Sequence, residues 1–570
     1  MARRKLAVDS VGEAYLALLA ERGVEYLFAN AGTDFAPIVE AYAKMAQGGL
    51  AAPTPVLATH ENVVISMAHG YAIVSQRIPA VMVHVSVGTA NALCGVYNAA
   101  RENVPILVTA GRSPITEAGL PGARDTYIHW AQEMFDQAGM LREIVKWEYE
   151  LRNGVQLETV VDRALAIAAS QPSGPVYLSL PREILAAPLP DFAYQAPTRL
   201  APASAAVPDE AALDQAARLL AAARHPLLIT AGAGRDPAAV PALADFAERF
   251  AIPVVEHRHR HLCLPADHPC HLGYEPTPYL DEADAIVVLE CDVPWLPSRK
   301  APGPDCKIVH IGVDPLFARY PIRGFPCDLA IAGEPRLALP RLGAALDRCG
   351  MGEAAGERRR WIAARREALQ ADWREARETV ATARPIDPVW VSACIAEAKG
   401  EDAILVNEYT LMPEHCGATR PGSYFGSSPA AGLGWGAGAA LGAKLAAPDR
   451  PVIAILGDGS YVFSNPVAVH HAAAMHGLPV LFVVVNNAMW GAVRRATLGM
   501  YPQGEAARSN KPPLIDLDAL PAFEQVCAAA GGYGERVEDP AELPAALVRA
   551  MRAVTIEKRQ ALLNVICRGV

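Results

Sequence analysis

One short stretch of the chain carries residues that could bind a metal ion. In "LGDGS", at 456–460, Asp458 follows the apolar run "VIAIL", and Asn487 comes just after a second apolar run, "VLFVVV", at 480–485. Two such runs joined by a helical segment predict neighbouring parallel strands, whose carboxyl ends lie on one edge of the sheet. There, Asp458, Asn487 and the backbone carbonyl of Met489 would form half of an oxygen-only shell. Such a shell suits Mg²⁺ or Ca²⁺, with a diphosphate completing the coordination.

The residues around Asp458 suit a phosphate ligand. Gly457 and Gly459 let the backbone come close to phosphate oxygens. The amides of Gly459 and Ser460 stand at the start of a predicted helix, where they can donate to an anion. An ordinary strand-end turn capped by Asp458 is the alternative. The polar pair at the end of the next strand favours the metal site.

The elements that must position these residues form three successive α/β units. Apolar strand-like runs alternate with helical patterns before residue 182, again between 226 and 342, and again from 403 onwards. This alternation predicts an α/β fold of three doubly wound parallel-sheet domains. A stretch rich in Pro and Ala after Pro188 and a charged helical stretch mark the boundaries. They predict a first domain at 1–188, a central domain at 189–350, a helical connector at 351–383 and a last domain at 384–570.

Composition and charge argue against several classes of function. The 570 residues carry a net charge of −10, and the basic residues are scattered rather than clustered. This pattern does not favour nucleic-acid binding. No apolar stretch reaches the roughly 20 residues that span a bilayer, so we expect no membrane segment. The eleven cysteines form no CxxC pair, which predicts reduced thiols and a cytoplasmic location.

One histidine-rich stretch lies outside these motifs. In "EHRHRHL", the residues His257, His259 and His261 alternate, which would place them on one face of an extended segment. A zinc site would need closed tetrahedral geometry, so a polar loop is the favoured interpretation.

The spacing of the metal motif resembles that of a known family. "GDG" followed after 26 residues by "NN" is similar to the cofactor signature of thiamine diphosphate-dependent enzymes, in the decarboxylase and acetolactate synthase branch. The resemblance implies thiamine diphosphate and Mg²⁺ as cofactors. It also implies a first domain that binds the pyrimidine of the cofactor and a last domain that binds its diphosphate and the metal.

The resemblance gives Glu61, in "ATHENVV", the role of the glutamate that activates the cofactor. In these enzymes a carboxyl group shares a proton with the pyrimidine N1′ atom, so that the cofactor's own amino group can deprotonate the thiazolium. A carboxyl group in an apolar pocket holds a proton more readily than one in water. Without the resemblance, Glu61 would be a carboxylate at a helix start. In the family this glutamate meets the cofactor of another subunit, which implies a homodimer or homotetramer with the active site between subunits.

The segment from "NEYT" to "GLGWG" is most similar to benzoylformate decarboxylases. Leu433 stands where that family places a bulky apolar residue beneath the two rings of the cofactor, although core packing would also explain it. Glu408, in the matching "NE", is implied as a cofactor-binding residue.

Three further residues are candidates for handling the substrate. His84, in "VMVHVSVGTANAL", matches the active-site histidine of benzoylformate decarboxylases, and a histidine is suited to shuttle protons near neutral pH. Thr33, in "ANAGTD", stands where those enzymes have a serine and would offer a hydroxyl to a substrate carboxylate. Gln132, in "HWAQEMFDQ", resembles the glutamine that faces the acceptor in acetolactate synthases. A packed strand-end histidine and a surface helix are the alternatives for His84 and Gln132.

Departures from the family pattern bear on the reaction. The "HH" pair of pyruvate decarboxylases is missing from the first domain, and Val493 stands where those enzymes carry a glutamate. The second-domain histidine of benzoylformate decarboxylases has no clear counterpart. We therefore expect decarboxylation of a small 2-oxo acid, carboligation of the acetolactate synthase type, or both.

Two other functions are open. A 2-hydroxyacyl-CoA lyase would use the same scaffold on a 2-hydroxyacyl substrate, and Arg494, Arg495 and Lys511 follow the metal strand, where they could meet CoA phosphates. A non-catalytic cofactor-binding or regulatory subunit would keep the fold without the chemistry. The retention of Glu61 beside both metal ligands argues against the second alternative.

Overall fold

A computed structural model describes residues 3–350, 354–509 and 511–569 of the chain. Residues 351–353 of the predicted connector, and residues 1, 2, 510 and 570 of the predicted first and last domains, lie outside these ranges. The described residues form three parallel sheets of five or six strands and one antiparallel strand pair. The prediction of three parallel-sheet α/β domains is confirmed.

The first domain is built on a six-stranded parallel sheet. Its strands and those of the antiparallel pair are β1 (Arg3–Lys5), β2 (Tyr26–Ala29), β3 (Thr54–Leu57), β4 (Ala80–Val83), β5 (Leu107–Arg112), β6 (Glu148–Glu150), β7 (Val176–Pro181) and β8 (Ala193–Gln195). Its helices are α1 (Val11–Glu21), α2 (Ala36–Gly48), α3 (Glu61–Ser75), α4 (Val85–Arg101), α5 (Ile128–Ala131), α6 (Leu157–Ala169) and α7 (Arg182–Ala186). The order in the sheet is β3-β2-β4-β5-β7-β6, and β1 pairs with β8. Helices cover both faces, so β4 is a continuous buried run, "AVMV".

The central domain has a five-stranded parallel sheet in the order β10-β9-β11-β12-β13. Its strands are β9 (Pro226–Thr230), β10 (Val254–Glu256), β11 (Ala285–Leu289), β12 (Lys307–Gly312) and β13 (Leu329–Ala332). Its helices are α8 (Glu210–Ala222), α9 (Ala239–Phe250) and α10 (Pro335–Cys349). The long helix α11 (Ala354–Val380) follows. It lies against the central domain, where Arg365 pairs with Glu282 at 2.5 Å and Arg366 donates to the carbonyl of His271 at 3.0 Å.

The last domain repeats the six-stranded arrangement. Its strands are β14 (Ile404–Glu408), β15 (Tyr424–Gly426), β16 (Val452–Gly457), β17 (Leu481–Asn486), β18 (Tyr533–Val537) and β19 (Ala561–Ile566), in the order β15-β14-β16-β17-β19-β18. Its helices are α12 (Pro388–Ala398), α13 (Gly436–Ala446), α14 (Asp458–Phe463), α15 (Pro466–Met475), α16 (Gly491–Met500), α17 (Glu505–Arg508), α18 (Phe523–Ala529) and α19 (Leu543–Thr555). Strands β16 and β17 are hydrogen-bonded neighbours, and α15 lies between them in the chain, as the metal motif predicts.

The first and last domains share one hydrophobic core, in which α3 packs against α13. Glycines bring the two helix backbones into direct contact. A Cβ atom at Gly70 would lie 1.9 Å from the carbonyl oxygen of Ala439, and one at Gly442 would lie 1.9 Å from that of Met67. Since no side chain fits at either position, these glycines set the close approach of the two helices. The contact fixes the start of α3, where Glu61 lies, relative to the loop before α13, where Leu433 lies.

Among the described residues, every helix is too short or too polar to cross a lipid bilayer. The charged helix α11 is long enough, at 27 residues, but Arg and Glu recur along its whole length.

Candidate active site

Asp458 and Asn487 lie side by side at the carboxyl edge of the last sheet. Asp458 begins α14 directly after β16, and Asn487 follows β17. The carboxylate of Asp458 accepts two backbone hydrogen bonds, from the amide of Asn487 at 3.1 Å and from the amide of Gly459 at 2.7 Å. The side-chain oxygen of Asn487 accepts from the amide of Met489 at 3.2 Å. The structure therefore brings together the three residues that the sequence analysis assigns to a metal ion.

The Asp458 carboxylate is buried without a cationic partner. Its residue is 3% exposed, and it forms no ion pair with a Lys, Arg or His in the described part of the chain. Burial raises the pKa of this carboxyl, and the amides that donate to it, among them those of Gly459 and Asn487, offset part of the rise. A divalent cation would supply the missing charge, and the oxygen donors of Asp458, Asn487 and Met489 fit Mg²⁺ or Ca²⁺. No group of three or more His, Cys, Asp and Glu side chains suited to a metal occurs among the described residues, so this carboxylate–amide–carbonyl set is a different type of site.

A buried hydroxyl without a partner lies beside this edge. Thr410 follows β14, and its Oγ1 atom is buried without a hydrogen bond in the described structure. A Cβ atom at Gly457 would lie 3.4 Å from the Cγ2 atom of Thr410, so the two residues are in contact range. Ser460 is 7% exposed in the first turn of α14. This combination fits a bound phosphate group. Thr410 is the last residue of "NEYT", and no role was predicted for it from the sequence.

Glu408 holds the loop that carries Leu433. It ends β14, is fully buried, and accepts from the amide of Gly434 at 2.7 Å and from that of Gly436 at 2.6 Å. Burial raises the pKa of Glu408 to about 7, although these amide hydrogen bonds lower it in part. Both carboxylate oxygens are thus directed at backbone amides of the loop, and Leu433, which is half-buried, directly precedes the first of these amides. Asn98 of the first domain closes the loop from the other side, donating to the carbonyl of Gly432 at 2.9 Å.

Glu61 occupies the first position of α3. It is 8% exposed, and its Oε2 atom accepts from the side-chain amide of Asn91 at 3.1 Å. His60 caps the helix by accepting from the amide of Asn62 at 3.1 Å. Asn62 in turn donates to the carbonyl of Gly434 at 3.2 Å, which ties the start of α3 to the Leu433 loop.

His84 lies between a carboxylate and an amide. Its Nδ1 atom is 2.5 Å from Oδ1 of Asp34, and its Nε2 atom is 3.2 Å from Nε2 of Gln132. Since the carboxylate can only accept, Nδ1 carries a proton, and the Gln132 amide donates to Nε2. The Oε1 atom of Gln132 is buried without a partner in the described residues. The structure therefore joins the two substrate-handling residues predicted from sequence and adds Asp34, which the sequence analysis missed.

Asp34 is positioned by the turn after β2. Thr33 begins a short 3₁₀ turn, Thr33–Phe35, and its side chain is exposed beside Asp34, which is 3% exposed. The second oxygen of Asp34 accepts from the amide of Val85 at 3.4 Å, at the start of α4. A Cβ atom at Gly111 would lie 1.7 Å from this carboxylate, so only glycine leaves room for it. The acidic residue in "GTD" was the one available signal for this role.

Three family models match the chain over most of its length. They are described as the N-terminal TPP binding domain, the central domain and the C-terminal TPP binding domain of thiamine pyrophosphate enzymes, and they match residues 9–140, 213–342 and 408–565. The chain belongs to the thiamine pyrophosphate enzyme family. Thiamine pyrophosphate is another name for thiamine diphosphate, so the cofactor that the resemblance implies is supported by both binding-domain matches.

Individual relatives agree with this assignment. The chain is 29% identical to a benzoylformate decarboxylase from Pseudomonas aeruginosa, over 96% of this chain and 97% of the relative. It is 23% identical to an acetolactate synthase large subunit from Haemophilus influenzae, over 93% and 90% of the two chains. The crystal structure of benzoylformate decarboxylase from Polynucleobacter necessarius superposes with a TM-score of 0.80 at 21% identity, over 99% of each chain, which shows a shared fold.

The candidate site residues divide into two groups, one in each match to a TPP binding domain. The group within the N-terminal match consists of Glu61, His84, Asp34, Gln132 and Thr33. The group within the C-terminal match consists of Glu408, Leu433, Asp458, Asn487 and Met489. Within the described part of this single chain, neither Glu61 nor His84 hydrogen-bonds to Asp458 or Asn487.

Proposed function

We propose that this protein is a thiamine diphosphate- and Mg²⁺-dependent enzyme that breaks or forms a carbon–carbon bond next to a carbonyl, by decarboxylating a small 2-oxo acid, by carboligation, or by both. The observation that supports the proposal is the buried Asp458 carboxylate beside the half-buried Asn487, which has no cationic partner among the described residues, in a chain that also keeps Glu61. The metal set alone would serve a protein that only binds the cofactor. Glu61 adds a group that such a protein does not need.

The chain has residues that would bind the metal ion and the diphosphate of the cofactor. Asp458, Asn487 and the carbonyl of Met489 would bind Mg²⁺, and a diphosphate would complete its shell. Further contacts to the diphosphate would come from Gly457, Gly459, Ser460 and Thr410. When bound, thiamine diphosphate supplies a thiazolium that accepts the electron pair of the broken bond.

Leu433 and Glu408 would position the ring system. Glu408 holds the amides of Gly434 and Gly436, and Asn98 holds the carbonyl of Gly432, so the loop that carries Leu433 is fixed on both sides. Leu433 would then support the cofactor from below. This gives Glu408 a positioning role through the loop rather than the direct cofactor contact implied by the resemblance.

Glu61, His84 and Gln132 would move or hold protons. Glu61, buried at a helix start, would share a proton with the pyrimidine N1′ atom. His84 carries its proton on Nδ1, so Nε2 is the basic atom that faces Gln132 and the substrate side. The free Oε1 atom of Gln132 would accept a hydrogen bond from a substrate or acceptor hydroxyl, and the exposed Thr33 hydroxyl would donate to the substrate carboxylate. The Gln132–His84 contact is the observation that favours carboligation beside simple decarboxylation.

The proposed working unit is at least a homodimer. In one chain Glu61 faces the Asn91 side chain and makes no hydrogen bond to Asp458 or Asn487. A second copy, placed so that its first domain meets the last domain of this copy, would complete both sites. The family resemblance of Glu61 and Asp458 supports this arrangement, as a dimer or as a tetramer of two dimers.

We place the enzyme in the cytoplasm. All eleven cysteines are free thiols in the structure, which suits a reducing compartment. Most of them are buried and would act as small apolar side chains.

The experiment that tests the function is product analysis on purified protein. The protein is given thiamine diphosphate, Mg²⁺ and a panel of aliphatic and aromatic 2-oxo acids, with and without an aldehyde acceptor, and CO₂ release is measured. Aldehyde as the product identifies a decarboxylase, and a hydroxyketone or acetohydroxy acid identifies a carboligase. If no member of the panel releases CO₂, the proposal fails, and cleavage of 2-hydroxyacyl-CoA to formyl-CoA becomes the next assay.

A further inference from the structure

A large cavity opens between the central and last domains, next to the loop that carries Leu433. Its volume is about 750 Å³. On the last-domain side, Asn407, Tyr409 and Ala431 line it, and these residues flank Glu408 and Leu433 in sequence. On the central-domain side it is lined by the histidine- and arginine-rich segment after β10. The cavity therefore adjoins the loop on which the proposed cofactor would rest.

The central-domain wall presents two polar groups without partners. Arg258 is exposed to the cavity and forms no hydrogen bond or ion pair with any described residue. Its φ angle is 47°, a left-handed value that is unusual for arginine. The neighbouring His257 is 4% exposed, and its Nε2 atom is buried without a hydrogen-bond partner among the described residues. Its Nδ1 atom lies 3.4 Å from the carbonyl oxygen of Tyr274, which can only accept, so Nε2 is an acceptor that a water molecule or a ligand hydroxyl would satisfy.

Tyr409 approaches the same wall from the last domain. Its φ angle is 77°, again left-handed, and its side chain is 52% exposed. Burial raises the pKa of Tyr409, the nearby Glu408 carboxyl adds to the rise, and the guanidinium of Arg258 lowers it. Arg258 and Tyr409 are therefore close enough to interact electrostatically.

The other charged groups of the cavity are already neutralised or hydrogen-bonded. Arg260 pairs with Asp292 at 3.0 Å, and Glu275 accepts from the amide of Thr277 at 3.1 Å. Burial raises the pKa of Glu414, which favours its neutral form. Glu275 keeps its negative charge, which its hydrogen bonds stabilise. Arg258 is the cation of the cavity whose side chain has neither an ion pair nor a hydrogen bond among the described residues.

We infer that this cavity binds an anionic group of the substrate, and that Arg258 determines specificity for it. The substrate class is a 2-oxo acid with a second carboxylate, remote from the reacting carbonyl. The guanidinium of Arg258 would pair with that carboxylate, and the hydroxyl of Tyr409 would donate a hydrogen bond to it. This inference rests on the proposed function, because it assumes that the substrate reacts beside Leu433.

Steady-state kinetics with matched substrates test the inference. The substrates are 2-oxoadipate, the uncharged 2-oxohexanoate and the cationic 5-guanidino-2-oxopentanoate. We expect the wild-type protein to have its highest kcat/KM with 2-oxoadipate. Arg258→Gln should lower the ratio of kcat/KM for 2-oxoadipate to that for 2-oxohexanoate by about 10- to 100-fold, the usual effect of one hydrogen bond to a charged group. Arg218→Gln, which removes an exposed arginine of the same domain that does not line the cavity, is the matched control.

Three results would overturn the inference. The first is that the wild-type protein shows no preference for 2-oxoadipate. The second is that Arg258→Gln leaves the ratio of kcat/KM for 2-oxoadipate to that for 2-oxohexanoate unchanged. The third is a preference for 5-guanidino-2-oxopentanoate, which would mean that Glu275 and Glu414 bind the substrate instead. Calorimetric binding of glutarate, which cannot react, separates this outcome from failure of the proposed function. If no 2-oxo acid is converted but Arg258→Gln weakens glutarate binding at least about 10-fold, the anion site stands and the reaction must be reassigned; equal binding by both proteins rejects the site.

Discussion

The Nδ1 atom of His84 lies 2.5 Å from a carboxylate oxygen of Asp34. The carboxylate fixes the imidazole in the form with a proton on Nδ1, which leaves Nε2 free to accept a proton on the side of Gln132. A histidine held in this way is a directed base, whereas a free ring would rotate and change tautomer. We therefore expect Asp34 to be a positioning residue that acts through His84.

Replacing Asp34 by Asn should lower kcat more than it changes KM. The Asn side chain can donate to Nδ1 and would favour the opposite tautomer, so we expect a fall in kcat of about 100-fold. The readout is a double-mutant cycle with His84→Ala. Asp34→Asn should have little further effect in the His84→Ala background, and an equal loss in both backgrounds would show that Asp34 acts independently of His84.

Replacing Glu61 by Gln should separate cofactor binding from turnover. Gln keeps the size of the side chain and can still accept the hydrogen bond of Asn91, so thiamine diphosphate affinity in calorimetry should stay within a few-fold. Turnover in the CO₂ assay should fall by at least about 100-fold, because Gln cannot hold the transferred proton. Glu40→Gln, at an exposed position of α2, serves as the control, and an undiminished rate in Glu61→Gln would reject the role.

Replacing Asp458 by Asn should weaken metal-dependent cofactor binding. The variant keeps an oxygen for the amide of Asn487 but loses the charge that attracts the cation. We expect thiamine diphosphate affinity in the presence of Mg²⁺ to fall by about 100-fold or more, since even residues that only support a metal ligand contribute about 10- to 100-fold. Treating the wild-type protein with a chelator should cause a similar loss, whereas Asp449→Asn, in an exposed loop, should bind normally. Full affinity in Asp458→Asn would place the metal elsewhere.

Glu408 should make the stability of the cofactor-free protein depend on pH. Its pKa rises from 4.5 to about 7 on folding, so the folded state binds the proton more tightly than the unfolded state. The stabilising contribution is complete below pH 4.5 and is lost as pH rises through about 7. The Tm of the wild-type protein should therefore fall relative to the Tm of Glu408→Gln as pH rises from 5 to 7.5. Above pH 7.5 the difference between the two Tm values should be constant. Glu401→Gln, an exposed substitution, should show no such trend, and a flat difference for Glu408→Gln would contradict the assignment.

The sequence predicts the architecture and the metal site for the same reason. Buried strands of a parallel sheet are continuous apolar runs, and such runs are visible in the chain without further information. Once β16 and β17 are recognised, the position of Asp458 beside Asn487 follows from the handedness of their connection. The resemblance then adds Glu61 and Leu433 by matching short motifs.

Other parts of the site depend on contacts that no local pattern encodes. Asp34 and His84 are 50 residues apart, and they meet because β2 and β4 are neighbours and because Gly111 on β5 leaves room for the Asp34 carboxylate. The side chains of Thr410 and Arg258 have no hydrogen-bond partners among the described residues. This depends on which other segments of the chain surround them, and the local sequence does not encode those neighbours. Glu408 was predicted to contact the cofactor, but only the fold shows that its two oxygens face backbone amides.

The glycine contact between α3 and α13 has a consequence for communication between subunits. In the proposed dimer, Glu61 at the start of α3 serves the cofactor of one site, and Leu433 before α13 serves the cofactor of the other. Backbone packed on backbone through Gly70 and Gly442 leaves no compressible side chain between them. A displacement at one cofactor would therefore be transmitted to the other as a rigid movement. Binding or turnover at the two sites would then be mechanically linked, with the glycines acting as the link.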